Sequence, residues 1–379
     1  MDMGAIGVNS GKGEGTMGRF LIWGTGRVAE RYGMLLEKMG LDKVEIIGFI
    51  DHDSRKHGKM FRGKTIFSPD DIPVLDYDYI TIWSSVYYDE IYLQIIKEYN
   101  VSPSRVTDIF SPYKQKLKEK YLGTNDAELQ EILHRIEEDR GINVYYFRPE
   151  GKQEQWDEVF YDAKAQLHYI FFEGKRMYLK RDFHGIEERD GKKYVRNMYE
   201  EQDINSPHRY EEKNVIVGQG DILIDAGACE GNFSLHHIDK VSKVYMIECD
   251  KGWMEALRYT FGPYKDKVVF CEKFLSNTDS ENTARLDTLV KEPVDFIKMD
   301  IEGEEIRALE GGRGLLSNSG HMKCAICAYH RHGDGEKIKE MLGGMGFETS
   351  ISKGYMLFLY SDDVLKDPEL RRGIIRGRK

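Results

Sequence analysis

The segment FIKMDIEGEEI, residues 296–306, concentrates acid: an apolar run closes with Lys298 and Asp300, then Glu302, Glu304 and Glu305 gather around Gly303. Asp300 and Glu302 stand two apart at the end of what reads as a buried strand, so they reach the same side. Together they could take a proton from a hydroxyl, orient it, or hold a divalent metal ion that lowers its pKa. Glu304 and Glu305 fall in the first turn of the following helix, where the dipole favours negative charge by roughly 0.3–1 kcal/mol each. His330, with His332 in CAYHRHGD just past the next strand, offers a neutral imidazole on the same lip as a second candidate base. His236 and His237 lie on an earlier helix and read as packing or surface residues.

A second cluster lies upstream in ILIDAGACEGNFSL. A strand ends at Asp225 and turns through Gly227 and Gly231 into a helix. Glycines there let a ligand approach the backbone, and the helix N-terminus offers free N–H groups, so a nucleotide cofactor is implied. A dinucleotide needs the G-x-G-x-x-G spacing, but Cys229 replaces its middle glycine, and Asp225 and Glu230 would repel a pyrophosphate. The same carboxylates suit S-adenosylmethionine, whose sulfonium and ammonium groups are cationic. Glu248, closing the next strand in VYMIECD, is placed for a ribose diol, as is the acid roughly 20 residues on in nucleotide folds. Near the N-terminus, Gly24-Thr25-Gly26 with Asp51 at the second strand's end matches the dinucleotide fingerprint better; it would serve NAD, a sugar nucleotide or a purely structural turn.

Strand and helix patterns in alternation must position these residues. After a Gly-rich stretch read as disordered (1–17), the runs RFLIW, VEIIGFI and YDYITIWSS alternate with helical patterns. They predict a small Rossmann-like α/β domain over 18–112. Residues 113–142 are highly charged with helical spacing of Leu and Ile and read as a helical linker. Aromatic-rich runs after 143 predict short strands or a hairpin leading into a second doubly wound sheet, with strands at 221–226, 243–248, 267–271, 294–299 and 322–328. Its last two runs meet near Ser352-Lys353-Gly354, which predicts a hairpin with one antiparallel strand at the sheet edge and closes a domain over 143–361. The remainder, 362–379 with RRGIIRGRK, reads as a basic C-terminal tail.

The 379 residues, 40% hydrophobic, can supply cores for two or three domains. A net charge of -10, with no basic face outside the tail, argues against nucleic acid as the partner and for a small molecule. No signal peptide and no apolar run of about 18 residues is visible, so no transmembrane segment and a cytoplasmic location are expected. Five cysteines without framework spacing fit free thiols in a reducing compartment. Cys324 and Cys327 form C-x-x-C within a strand, where residues three apart face opposite ways and do not share a metal.

The stretches ILIDAGACEGNFSL, VYMIECD, RLDTL and above all VDFIKMDIEGEEIRALEG resemble the FkbM family of S-adenosylmethionine-dependent O-methyltransferases. That family's K-x-D-x-E-G stands here as Lys298, Asp300, Glu302 and Gly303, and its D-x-G-A-x-x-G loop as Asp225, Gly227, Ala228 and Gly231. The resemblance covers about residues 195–360. It implies a class I methyltransferase sheet with a reversed last strand, and methylation of hydroxyls on sugars or glycosylated natural products. EQDINSPHRY (201–210) looks like a segment of some of these proteins that could approach cofactor or acceptor, and Asp287 in RLDTL matches a motif position. The N-terminal part resembles nucleotide-binding-like domains fused to enzymes of polysaccharide biosynthesis.

The leading expectation is therefore an O-methyltransferase acting on a sugar or glycan hydroxyl. Its rivals are an NAD-dependent sugar-nucleotide oxidoreductase built on the N-terminal fingerprint, and a non-enzymatic sugar-nucleotide-binding protein, which would leave Asp300 and Glu302 without a task. Methylation of a nucleobase amine is disfavoured because DIEG stands where that chemistry commonly has an Asn/Asp-Pro-Pro-aromatic turn.

Overall fold

The computed structural model describes residues 18–41, 44–84, 87–150, 158–181 and 198–379; the stretch 1–17 expected to be disordered lies outside them. The chain divides into two compact units, one of residues up to Val144 together with Leu359–Glu369, the other of Tyr145–Phe358 with Leu370–Lys379.

The first unit carries a five-stranded sheet of β1 (Arg19–Trp23), β2 (Glu45–Ile50), β3 (Met60–Phe61), β4 (Lys64–Phe67) and β5 (Tyr79–Ile82), in the order β3-β4-β2-β1-β5. Strand β1 runs parallel to β2 and to β5; α1 (Arg27–Lys38) carries the crossover from β1 to β2, and α2 (Tyr88–Lys97) follows β5. The hairpin β3–β4 is an addition to the expected pattern; Arg62 and Gly63, at φ 46° and 73°, make its two-residue turn. The stretch 113–142, expected as a linker, instead packs into this unit as α3 (Ser111–Lys120) and α4 (Ala127–Glu138). The helical spacing that suggested a solvated connector buries Leu117, Leu129, Ile132 and Ile136 on one face, and the Tyr113 hydroxyl donates to Val364 O at 2.5 Å.

The second unit holds a seven-stranded sheet of β6 (Ile222–Ala226), β7 (Lys243–Ile247), β8 (Val268–Cys271), β9 (Phe296–Met299), β10 (Lys323–Cys327), β11 (Glu348–Ile351) and β12 (Ile374–Arg378). Their order is β8-β7-β6-β9-β10-β12-β11, with β12 antiparallel to both neighbours. This is the class I methyltransferase arrangement of a Rossmann-like α/β sheet. Strands β6, β9 and β10 are buried almost throughout, as strands covered by helices on both faces must be. Helices α5 (Asn232–His237), α6 (Lys251–Thr260), α7 (Glu305–Gly311) and α8 (Asp334–Gly344) join them. The aromatic runs form a three-stranded antiparallel meander over Phe160–Tyr178, tied to α6 by the Tyr178 N–H donating to Thr260 Oγ1 at 2.9 Å. Among the described residues no helix is long and apolar enough to cross a membrane.

The basic tail expected over 362–379 does not exist as one, and the reversed strand does not come from 355–360. Leu359–Glu369 belongs to the first unit, and RRGIIRGRK returns as β12 between β10 and β11. Its arginines looked solvated but are consumed inside the fold. Arg376 is buried, its Nε donates to Tyr210 O at 2.9 Å, its Nη2 to Arg209 O, and its Nη1 pairs with Glu212 at 2.9 Å, while Arg378 pairs with Glu348 at 2.6 Å. Gly377 is the one residue small enough there, since a Cβ would sit 2.8 Å from Cys324 Sγ.

Arg376→Ala would strand two backbone carbonyls and a half-buried carboxylate. Denaturant unfolding should show a loss of about 3–5 kcal/mol, with Arg376→Lys recovering only part because one ammonium cannot serve three acceptors in a plane. An unchanged unfolding midpoint would remove Arg376 from this role.

Candidate active site

The parallel strands β6, β7, β9 and β10 all end on one edge of the sheet, where an open α/β fold forms its ligand crevice. After Ala226 the chain turns through Gly227, at φ 73°, so close to β9's end that a Cβ would lie 1.7 Å from Asp300 O; only glycine fits. Gly231, at φ 80°, starts α5 against Leu257 and Phe261, and Ala228 N–H donates to Ile247 O at 3.2 Å, so Gly227, Ala228 and Gly231 shape a loop pressed onto its neighbours.

Lys298 and Asp225 are register partners on β9 and β6. Lys298 Nζ lies 3.0 Å from Asp225 Oδ1 and donates to Gly227 O at 2.5 Å, while Ser234 Oγ donates to Asp225 Oδ2 at 2.6 Å. Burial alone would lower the lysine's pKa, but Asp225 and Asp300 hold it above the ordinary value. Asp225 is 0% exposed, so it does not face a ligand as the loop motif implied; it anchors the loop through Lys298. Glu248, 8% exposed, follows the end of β7 on the same edge of the sheet. Its Oε2 accepts from Cys229 N at 2.9 Å and its Oε1 from Asp250 N at 2.8 Å, which fixes the carboxylate and leaves each oxygen one further acceptor direction.

Asp300 is the hub of the site. Tyr210 OH donates to its Oδ2 at 2.9 Å and Tyr329 OH to its Oδ1 at 3.3 Å, while His208 and His330 each bring Nε2 within 3.3 Å. Burial would raise its pKa, but His208, His330 and Lys298 outweigh that and hold the carboxyl well below the usual range. His330 is clamped on its other side by Glu305, 3.1 Å from Nδ1. Burial would lower its pKa, yet Glu305, Asp300 and Glu302 lift it to about 9. His330 is therefore an imidazolium at pH 7 and not the neutral base expected from its position. Glu305, expected as a solvated helix-start acid, is 0% exposed and also accepts from Ile301 N at 2.8 Å.

Glu302 sits at φ 56° before Gly303, with 85% of its side chain exposed, and approaches His330 at 3.7 Å. The turn carries it out to the rim, so it does not pair with Asp300 as a metal clamp. Around Asp300, the donor atoms that do converge within 4.8 Å among the described residues are those of Asp300, Glu305 and His330, and those of His208, Asp300 and Cys327. In the first set His330 stands between the two carboxylates, its Nε2 3.3 Å from Asp300 and its Nδ1 3.1 Å from Glu305.

Sequence reasoning missed His208, Tyr210, Tyr329 and the deeper role of Lys298. The first two lie in EQDINSPHRY, singled out but given no role, and Tyr329 directly precedes His330. Glu201, in the same segment, receives Tyr145 OH at 3.3 Å, and burial, with Glu230 and Asp300 adding, raises its pKa to about 7. Asp287 is no crevice residue; its oxygens accept from Gly314 N at 3.0 Å and Leu315 N at 2.7 Å and cap a helix.

In the first unit, Gly24 is at φ 122° because a Cβ would meet Trp83 O at 2.9 Å, and Gly26 caps α1 with open space around it. Asp51 is already occupied: Lys56 Nζ donates to its Oδ2 at 2.8 Å, as does the Thr25 hydroxyl, and Asp53 N to its Oδ1 at 2.9 Å.

Comparison with known proteins places these geometries. Residues 16–107 match the family model of the C2185-like N-terminal domain, and residues 180–349 that of the methyltransferase FkbM domain. No curated protein matches the chain. A crystal structure of methyltransferase FkbM from Methylobacillus flagellatus is similar at 18% identity and a TM-score of 0.49, over 96% of this chain and 90% of that one. A precorrin-6y C5,15-methyltransferase from Geobacter metallireducens is similar at 13% identity and a TM-score of 0.32, over 44% of this chain and 85% of that one. A Streptococcus mutans protein solved in complex with SAH is similar at 14% identity and a TM-score of 0.32, over 44% and 92%.

The raised pKa of His330 fixes the sign of a pH dependence. The group is near 6.5 in the unfolded chain and about 9 in the fold, so its contribution is complete below about 6.5 and is lost as pH rises through about 9. The stability difference between the native protein and His330→Gln, measured by denaturant unfolding, should shrink by up to about 3 kcal/mol between pH 6.5 and 9.5. A difference independent of pH would show that His330 is not charged in the fold.

Proposed function

We propose that the methyltransferase FkbM domain of residues 180–349 moves a methyl group from S-adenosylmethionine to a hydroxyl of a sugar or glycan precursor, in cytoplasmic polysaccharide biosynthesis. The observation that carries this reading is Asp300: a carboxylate held ionised at the strand-end edge of the sheet, beside the glycine loop that Lys298 and Asp225 pin in place. The chain's residues fit that cofactor. Glu248 is fixed by two backbone N–H groups at the end of β7, where nucleotide folds place the acid that holds a ribose diol, and Glu230 stands on the loop itself. When bound, S-adenosylmethionine supplies a methyl group on a sulfonium, an electrophile that needs alignment more than activation.

Two groups already approach each oxygen of Asp300, so an incoming hydroxyl takes the place of the Tyr329 hydroxyl, the longer of its two tyrosine hydrogen bonds at 3.3 Å, donates to Oδ1 and turns an oxygen lone pair towards that methyl. Such an oxygen becomes strongly acidic only as it alkylates, so a carboxylate of low basicity is still basic enough to take its proton at that stage. Tyr210 and Tyr329 stay neutral, since burial and the charge of Asp300 push both phenols well above their usual range. They orient Asp300 and, with Phe358 packed 4.8 Å from Tyr329, offer aromatic faces to the C–H face of a sugar ring. Glu201, with its pKa near 7, is the stronger base of the crevice and suits the onward passage of the proton. The NAD-dependent alternative is weakened at its ribose anchor, because a diol would have to displace Lys56 from Asp51.

Calorimetry with S-adenosylmethionine, S-adenosylhomocysteine and NAD tests the cofactor: the first two should bind and Glu248→Ala should weaken both by at least about tenfold, whereas binding of NAD alone would overturn the reading. With radiolabelled S-adenosylmethionine and a panel of nucleotide sugars, Asp300→Asn should keep cofactor affinity and lose about 100-fold or more in turnover. Full turnover in Asp300→Asn would take the proton-accepting role away from it.

A further inference from the structure

One helix length from the cofactor loop, the far end of α5 carries a second set of polar groups that methyl transfer does not use. His237 is 0% exposed, and neither of its ring nitrogens completes a hydrogen bond, although Nε2 lies 3.3 Å from Glu211 Oε2. Glu211 keeps Oε2 for this contact because its Oε1 accepts from Val217 N at 2.6 Å. The neighbouring His236, about half exposed, places Nδ1 2.7 Å from Glu173 Oε1. A ring that donates Nδ1–H to a carboxylate presents Nε2 as a lone pair, which is how ligating histidines are oriented in metal centres.

We propose that Glu211, His236 and His237 bind a divalent transition metal, with zinc the ion that fits best and Glu173 the carboxylate that orients His236. One donor atom from each of the three lies within 4.8 Å of the others. Ligands of a tetrahedral zinc, at about 2.0–2.2 Å from the ion, stand roughly 3.4 Å apart, so the His237–Glu211 contact already has the required spacing. Small side-chain rotations bring His236 to it. Two imidazoles and one carboxylate are a borderline donor set that prefers zinc to magnesium or calcium, and they leave one position for water.

The position gives the ion a purpose. Glu211 directly follows Tyr210, whose hydroxyl holds Asp300, and α5 begins at Gly231 of the cofactor loop. A metal joining Glu211 to α5 would fasten these two parts of the crevice to each other without entering it.

The test uses the full chain stripped with a chelator and dialysed. Titration with zinc should give one tight site with a dissociation constant in the micromolar range or below, and cobalt(II) should give the visible absorption of a four-coordinate site with imidazole ligands. Zinc should raise the melting temperature of the native protein, and both His236→Ala and Glu211→Gln should weaken binding by at least about tenfold and remove that rise. Far-ultraviolet circular dichroism checks that the variants fold, and His236, being partly exposed, is the safer of the two. No zinc binding to the native chain, or binding unchanged in folded His236→Ala, would overturn the proposal. So would binding that disappears in Asp300→Asn instead, which would move the ion to the crevice. If both variants misfold, a native cobalt spectrum without imidazole ligation still refutes the site.

Discussion

The buried contact between Lys298 and Asp225 is what the rest of the second unit depends on. It joins the two central strands at the point where each leaves the sheet, and the same ammonium holds Gly227 O. Removing one partner of such a pair leaves an uncompensated charge in the interior, at a cost of about 3–5 kcal/mol. The pair does not stand alone: the ammonium has a carboxylate oxygen at 3.0 Å and a carbonyl acceptor, and the carboxylate's other oxygen has the Ser234 hydroxyl. Asp300 lies two residues beyond Lys298, so the cofactor loop and the hub of the crevice belong to one rigid frame.

This contact is also one end of a line of alternating charge. From Asp225 it runs through Lys298, Asp300 and His330 to Glu305, with a cation between every two anions. The alternation makes the crowding of carboxylates tolerable, and it sets their chemistry: Asp300 stays ionised because it is flanked, and His330 stays protonated because it lies between two anions. Glu304, outside the line, is neutralised on the surface by Arg331 at 2.7 Å. The acids of this segment therefore have separate tasks that their adjacency in the chain does not reveal.

A second constraint comes from the chain's end. Strand β12 brings Arg376 under the carbonyls of Arg209 and Tyr210, and Tyr210 reaches Asp300. The segment at 201–212 is held in place from one side by the last strand and from the other by its contacts with Tyr329 and Asp300. Residues far apart in sequence thus decide the shape of a crevice whose motifs lie elsewhere.

The alternation of apolar runs and helical patterns was enough to establish mixed α/β sheets, and the spacing in DAGACEG and KMDIEG was enough to place both motifs at the ends of neighbouring strands of the second, because period and strand ends are local properties of the chain. The glycine requirement at Gly227 was legible for the same reason. What needed the tertiary structure were the partners. That Asp225 faces Lys298 and not a ligand, that His330 is charged, that Glu305 is buried and that RRGIIRGRK is a strand all follow from contacts between distant segments. A side chain's protonation state and exposure are set by the charges and surfaces packed around it, and packing brings those together only after the chain has folded.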